Sequence, residues 1–512
     1  MDSFVKKAGA LLALAAAIWI FYFGLAFGTQ NTLWTDEGDY VLLAQSIIER
    51  GTYEVMPDPL GMLDRSARSY GIPYFTAVMS TITGEYIFAG HLAVALLCAL
   101  AVLATYILAR KYFGDLSAII AVLLLSFSQL LWFYSSRVLT DAPQMAFAAL
   151  GVYAFLRVIR EQNAKWMVVF VLSILFGGFT KYTFFAIIFG IAVAAFLYRD
   201  AIIKTALKSP KATGVSVLLF AGFAASFLLY QLSKTGSPFG LAGEYFAGAA
   251  SFGTVDTWLF FTMSNWIFST AFGAILVAFG IAYAFLKPDE NAQFLSYILL
   301  VPMLVMTFFL AYKEDRFIIF LLPIAFVLAG RLLADAIIAI ADAASGKASP
   351  GFWTAASCLL VIFLYTATFG NLSSCWGLYQ DKQSSYSEVQ EASYYIKNIT
   401  KPGEWVLASG NPQVGAYSSR YVNGLNPNYT EFLRVSSAYN STVYMTSLWE
   451  ASGALSVVFS AINNGTALYG NTYYELFTDE KKYSLVKMFS RNTVDDSGKP
   501  VSQPMVFVFK KK

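Results

Sequence analysis

The sequence predicts an α-helical polytopic membrane protein with about eleven transmembrane helices and a small extracytoplasmic α/β domain at its C-terminal end. Three observations predict this. The 512 residues are 57% hydrophobic and only 13% charged, with a mean hydropathy of +0.57, far from soluble composition. Apolar runs of roughly 20 residues, long enough to cross a bilayer core as helices, recur as far as residue 370. From residue 371 the texture turns polar, and five Asn-X-Ser/Thr sequons appear, at Asn371, Asn398, Asn428, Asn440 and Asn464, where none stood before.

The candidate spans lie near 8–30, 87–109, 116–134, 142–159, 166–180, 183–198, 213–231, 258–286, 293–311, 317–334 and 351–370. The first follows Lys6 and Lys7 like a signal peptide, but its apolar core exceeds the roughly 7–15 residues such peptides use, so it reads as a retained span. A cytoplasmic N-terminus places Lys6, Lys7, Arg110, Lys111, Arg157, Arg160, Lys165, Arg199, Lys204, Lys208, Lys211, Lys287, Arg331 and Lys347 inside, as the positive-inside rule asks. Eleven spans then carry the tail outside, where its sequons could be glycosylated. The expected division is 1–370 for the membrane domain and 371–512 for the outer domain, with residues 31–86 as a long first outer loop.

In that loop, Val41 to Arg50 and Pro73 to Thr83 have the apolar spacing of short helices lying along the membrane surface. In the tail, Glu388 to Ile399 reads as a helix, and Trp405–Ala408, Ser456–Phe459 and Met505–Phe509 read as buried strands. The net charge of +3 is spread over short loops and forms no nucleic-acid patch. Cys98, Cys358 and Cys375 have neither metal nor disulfide spacing, and the sole histidine, His91, reads as a packed residue.

The polar residues that could carry chemistry gather on the outer side. Trp34-Thr35-Asp36-Glu37-Gly38-Asp39-Tyr40 brings three carboxylates to the end of the first span, where Lys, Trp or Tyr is usual. Arg137 and Asp141 lie between spans three and four, Lys181 between five and six, and Glu314-Asp315-Arg316 between nine and ten. Each has a plain structural use: Asp36, Asp39 or Asp141 could cap a helix, Lys181 could snorkel to headgroups, and Glu314–Arg316 could be a solvated turn. Four clusters held near lipid on one face are expected instead to meet one another or an ionic ligand. An amphipathic phosphosugar fits: Lys181, Arg316 and Arg137 would hold a phosphate, while carboxylates would deprotonate a hydroxyl or bind a divalent metal.

On these residues the chain resembles the GT-C membrane glycosyltransferases, in particular the branch of dolichyl-phosphate-mannose protein mannosyltransferases and lipid A aminoarabinose transferases. The resemblance rests on Thr35 to Tyr40 with the helix Ala44 to Gly51, on Tyr70 and Pro73 before Thr83-Gly84, on Arg137 through Pro143, on Gly178 to Lys181, and on Arg316-Phe317 before Leu322-Pro323. In the tail it covers Glu391-Ala392 to Ile396, Pro402 to Val406 and Tyr417 to Arg420. It implies transfer of one sugar from a polyprenyl (dolichyl) phosphate donor with inversion. Asp36 is implied as base, Glu37 and Asp141 as assisting it or a metal, and Lys181 as lying on the donor phosphate.

The chain departs from that pattern in the first loop, with Tyr70-Gly71-Ile72-Pro73 where relatives carry a Lys-Pro-Pro-like step. Arg65 and Arg68 are then the nearby candidates for a phosphate contact. No Trp-Trp-Asp motif appears, which argues against the oligosaccharyltransferase branch.

The expected activity is therefore that of a polyprenyl-phosphate-sugar-dependent hexosyltransferase of a plasma or endoplasmic-reticulum-type membrane. Its acceptor is a hydroxyl on a glycan, lipid or protein, its surroundings are membrane lipids, and it has no nucleic-acid partner. A divalent metal (Mg, Mn or Zn) on Asp36 and Asp141 is an alternative use of those carboxylates. A protein O-mannosyltransferase is the narrower reading. A non-catalytic transporter or receptor for lipid-linked sugars is the reading from another class.

Overall fold

The computed structural model describes residues 2–56, 68–237, 271–309, 314–344, 376, 377, 379, 380, 385–494 and 499–512. The chain divides into two compact units: Met1–Thr29, Ser69–Phe75 and His91–Gln380 in the first, and Gln30–Arg68, Thr76–Gly90 and Asp381–Lys512 in the second.

The first unit is helical. It contains α1 (Asp2–Gly28), the greater part of α4 (Tyr86–Phe113), α5 (Asp115–Ser126), α6 (Gln129–Ser135), α7 (Gln144–Glu161), α8 (Lys165–Thr180), α9 (Ile187–Leu197), α10 (Arg199–Lys208) and α11 (Pro210–Thr235). Beyond these lie α12 (Ala271–Leu286), α13 (Glu290–Phe309) and α14 (Leu322–Ala344), with 3-10 turns at Tyr182–Ala186 and Asp315–Leu321. Among the described residues five helices are long and apolar enough to cross a membrane, or seven if each of two bent pairs is one span.

The described residues thus do not confirm the expected count of eleven, for local reasons. The run 116–134 breaks at Phe127–Ser128, where extended backbone at Ser128 bends α6 by 58° from α5. The run behind α8 forms a helix of only 16 residues, about 24 Å at the usual rise. The run 351–370 and the start of 258–286 lie outside the described residues.

α7 and α8 run antiparallel. The ring pair Phe147–Phe176 (6.0 Å) joins the start of α7 to the end of α8, and Tyr153–Trp166 (5.2 Å) and Phe155–Phe170 (4.7 Å) join later residues of α7 to earlier ones of α8. Their turn, Gln162 to Ala164, is short because Gln162 adopts left-handed backbone (φ 50°). One consequence governs the rest of the unit: whatever follows α8 returns to the end at which α7 began.

The second unit holds α2 (Thr35–Arg50), most of α3 (Gly71–Thr83), and a five-stranded sheet of order β2-β1-β3-β5-β4. Its strands are β1 (Trp405–Ala408), β2 (Tyr421–Gly424), β3 (Val443–Ser447), β4 (Tyr483–Val494) and β5 (Pro500–Lys511). β1 pairs parallel with β2 and β3, whereas β5 runs antiparallel to both β3 and β4. The accompanying helices are α15 (Ser387–Ile399), α16 (Asn411–Ser418), α17 (Tyr429–Ala438), α18 (Leu448–Asn463) and α19 (Thr472–Thr478). Alternation along the strands fills two cores, Val406, Val443 and Val508 on one face and Leu407, Tyr444 and Phe509 on the other.

One expectation is corrected here and another extended. Ser456–Phe459 lies inside α18 rather than in a strand: Ala451, Leu455, Val458 and Ala461 are its buried residues, a three-and-four spacing that four adjacent residues cannot reveal. Val41–Arg50 is part of a longer helix that begins at Thr35, and its Leu42, with Met56, sits in the valine core of the sheet.

Candidate functional site

The first unit brings together two of the expected residues. Lys181 ends α8 with extended backbone (φ −157°, ψ 137°), which stops the helix and turns its side chain away from the helix axis. Gly177 and Gly178 permit this turn, because a Cβ at either would stand 2.3 or 2.2 Å from the rings of Phe184 and Phe185 in the following 3-10 turn. Lys181 Nζ donates to Asp141 Oδ1, with Lys181 7% and Asp141 1% exposed in their side chains. The ammonium also stands 4.8 Å from the centre of the Phe317 ring. Asp141 does not cap α7: the N-cap is Pro143, and no side chain caps that end.

The remaining cations of this unit are placed differently. Arg316, next to Phe317 in sequence, pairs with Glu314. Arg137 is buried, with its guanidinium 5.7 Å from the Phe133 ring. His91 is buried as expected, and a Cβ on Gly28 would lie 2.6 Å from its Nδ1.

The second unit builds another cluster, at the start of α2. Leu33 fixes the approach, its N–H donating to the Tyr417 hydroxyl (2.6 Å) and its carbonyl accepting from Gln413 Nε2 (3.1 Å). Gly38 lets α16 close on the helix, since a Cβ there would lie 2.7 Å from the Gln413 nitrogen. Glu37 is fully buried, and its Oε2 accepts the Trp34 N–H at 2.7 Å in a capping box. The capping role that the sequence offers Asp36 or Asp39 belongs to Glu37.

Asp36 and Asp39, one turn apart, share Arg68. Arg68 Nη2 stands 2.8 Å from Asp36 Oδ1 and 2.7 Å from Asp39 Oδ2, and Nε donates to the same Asp39 oxygen at 2.7 Å. Side-chain exposure is 30% at Asp36 and 5% at Asp39. Burial pushes the Asp39 carboxyl up to about 6, against the pull of Arg68 and with a push from Asp36. Burial works against the Arg68 charge, yet Asp36 and Asp39 outweigh it and hold the guanidinium above its ordinary value. Beside Asp36, Thr35 Oγ1 donates to Glu450 Oε1 at 2.8 Å. Burial, then Glu450 and Asp36, push the Tyr386 hydroxyl up to about 12.

Sequence reasoning named Asp36, Arg68, Asp141 and Lys181 but not their pairing. It left out Asp39 and Phe317 as site residues. The three-residue step from Asp36 to Asp39, one helical face, is the signal that could have found the former.

Asp36 shares a guanidinium with Asp39, and Asp141 is closed by an ammonium, so each carboxylate already has a cation. No group of three His, Cys, Asp or Glu among the described residues is disposed to hold a metal.

The architecture is that of the GT-C fold glycosyltransferases. ArnT from Cupriavidus metallidurans bound to undecaprenyl phosphate superposes with a TM-score of 0.63 at 13% identity, over 98% of this chain and 97% of that one. The same protein in the apo state gives 0.64, also at 13% identity, over 98% of both chains. The apo oligosaccharyltransferase of Archaeoglobus fulgidus gives 0.58 at 13% identity, over 98% of this chain and 75% of that one. The family described as dolichyl-phosphate-mannose-protein mannosyltransferase matches residues 67–229. Comparison with curated protein sequences finds no match.

Proposed function

We propose that the chain is an integral multi-pass glycosyltransferase that moves a single sugar from a polyprenyl (dolichyl) phosphate donor to an acceptor hydroxyl, with inversion at the anomeric carbon. The observation that carries this is the mannosyltransferase family match over 67–229, a stretch that contains Arg68, Arg137, Asp141 and Lys181. The undecaprenyl phosphate bound by the structurally similar ArnT supports the donor class.

In this reading Asp36, the more exposed of the two paired acids, takes the proton of the acceptor hydroxyl as its oxygen bonds the anomeric carbon. The bond from that carbon to the phosphate oxygen breaks, and the electron pair leaves with the polyprenyl phosphate. Lys181 supplies positive charge to the departing phosphate, and Asp141 keeps that side chain aimed while no donor is bound. Arg316 is the second candidate cation. Arg68, held by the carboxylates, and Arg137, buried beside Phe133, complete the candidate set. Glu37 supports Asp36 by capping its helix.

The narrower reading, a protein O-mannosyltransferase acting at the outer face, is favoured only by the description of the matched family. The test is to give purified Asp36→Asn protein labelled polyprenyl-phosphate sugar. Donor binding should be kept while transfer falls about 10²–10⁴-fold, the usual worth of a general base. Undiminished transfer removes Asp36 from the reaction.

A further inference from the structure

A second cluster of charge lies at the far end of α7 and α8. Because these helices are antiparallel, the turn Gln162 to Ala164 stands a helix length from Lys181, about 24 Å for the 16 residues of α8. A cavity of about 650 Å³ opens there, lined by Lys165, Lys208 and Lys211 together with Gln162, Asn163 and Ser209. The three lysines come from the start of α8, the end of α10 and the start of α11. The only acid among the described residues that line it, Glu161, is already engaged by Arg157 (2.5 Å) and Lys111 (3.0 Å). Lys208 Nζ reaches no carboxylate but the neutral Gln162 Oε1, at 2.8 Å. Three cations therefore face one cavity with no acid of its own to spare.

The surroundings say what such a cavity would take. α10, which carries Arg199, Lys204 and Lys208, turns 86° from the apolar segment before it, the attitude of a helix lying along an interface. Immediately past Lys211, α11 exposes Val215, Val217, Leu218 and Phe220. A ligand here meets positive charge at one end and an uncovered apolar helix at the other. Single lysines at span ends commonly snorkel to headgroups. Convergence of three from separate helices on a cavity is a different arrangement. The first-turn N–H groups of α8 and α11 add positive potential at the same place.

We propose that this cavity binds the phosphate headgroup of an anionic membrane lipid, whose acyl chains lie along the exposed apolar face of α11. The site is distinct from the Asp141–Lys181 end and does not depend on the reaction assigned there. By the distribution of basic residues it faces the cytoplasmic leaflet.

The full chain, in nanodiscs of phosphatidylcholine containing a minor fraction of phosphatidylglycerol, is transferred to mild detergent, and retained lipid is read by native mass spectrometry. Wild type should hold phosphatidylglycerol over phosphatidylcholine. Replacing Lys165, Lys208 and Lys211 together by Gln should weaken that retention about 100-fold, at ~1 kcal/mol for each cation, and higher salt should weaken it further. Replacing all three by Arg should preserve it. Should the triple Gln protein fail to fold, Lys165→Gln and Lys211→Gln alone should each cost about fivefold. Equal retention by wild type and Gln variants overturns the proposal. So does displacement of the lipid by millimolar inorganic phosphate, which would make the ligand a soluble anion.

Discussion

Asp141 with Lys181 in one unit, and Asp36 and Asp39 with Arg68 in the other, are both carboxylate–cation contacts, yet they are built to opposite ends. The first matches one acid to one ammonium in nearly complete burial, so it is neutral as it stands. The second sets Asp36 and Asp39 about one guanidinium and leaves one of them, Asp36, 30% exposed. A buried neutral pair is stable until a competing ion of the right sign arrives. A carboxylate that is partly exposed can be reached by a hydroxyl proton. This difference in exposure accords with the roles that the family resemblance implies and that are proposed above, phosphate binding for the one and base chemistry for the other.

The comparison breaks most visibly at Lys181. Lys181→Met strands Asp141 in a buried position, and a broken buried pair costs about 3–5 kcal/mol. Thermal unfolding in detergent should register that loss, and adding Asp141→Leu should recover most of it. If single and double variants melt together, the contact is not what holds this end of α8, and the neutral-pair description fails.

At the other cluster pH is the sharper tool. A carboxyl raised from its ordinary value to about 6 favours the protonated fold. Its contribution to stability is therefore complete below the unfolded value near 4 and is lost as pH rises through 6. At ~1.4 kcal/mol per pH unit the loss is about 3 kcal/mol. Asp39→Asn, which cannot titrate, should flatten the dependence of unfolding on pH between 4 and 7. An unchanged slope would mean that Asp39 is ionised throughout that range.

Much of the frame could be read from the chain itself, because membrane spanning is written in composition and the charged motifs interrupt apolar sequence. Asp36, Asp141 and Lys181 stand out for that reason alone. Their partners do not: Arg68 lies 29 residues from Asp39, and Lys181 lies 40 from Asp141, so only folding reveals who pairs with whom. The same limit explains Phe317, an unremarkable aromatic in an apolar run until Lys181 comes to rest over it. It also explains β3, whose five residues are all buried and therefore show no alternation. Ser456–Phe459 shows the converse error, in which a short apolar run inside a helix carries no period of its own.

Glu37 offers the smallest and most discriminating test of the second cluster, because in sequence it is indistinguishable from its neighbour Asp36. Its carboxylate is fully buried and accepts the Trp34 N–H, which ties down the first turn of α2 and thereby fixes where Asp36 and Asp39 project. A residue with that task affects the reaction only through the helix it caps. Glu37→Gln keeps an acceptor of the same length for the Trp34 N–H. It should cost about 1 kcal/mol or less in unfolding, the scale of a weakened cap, and leave transfer within severalfold of wild type. Glu37→Ala removes the acceptor and should cost more stability than Gln does. If Glu37→Gln instead abolishes transfer at unchanged stability, the charge of Glu37 itself takes part, and the cluster works with three carboxylates rather than two.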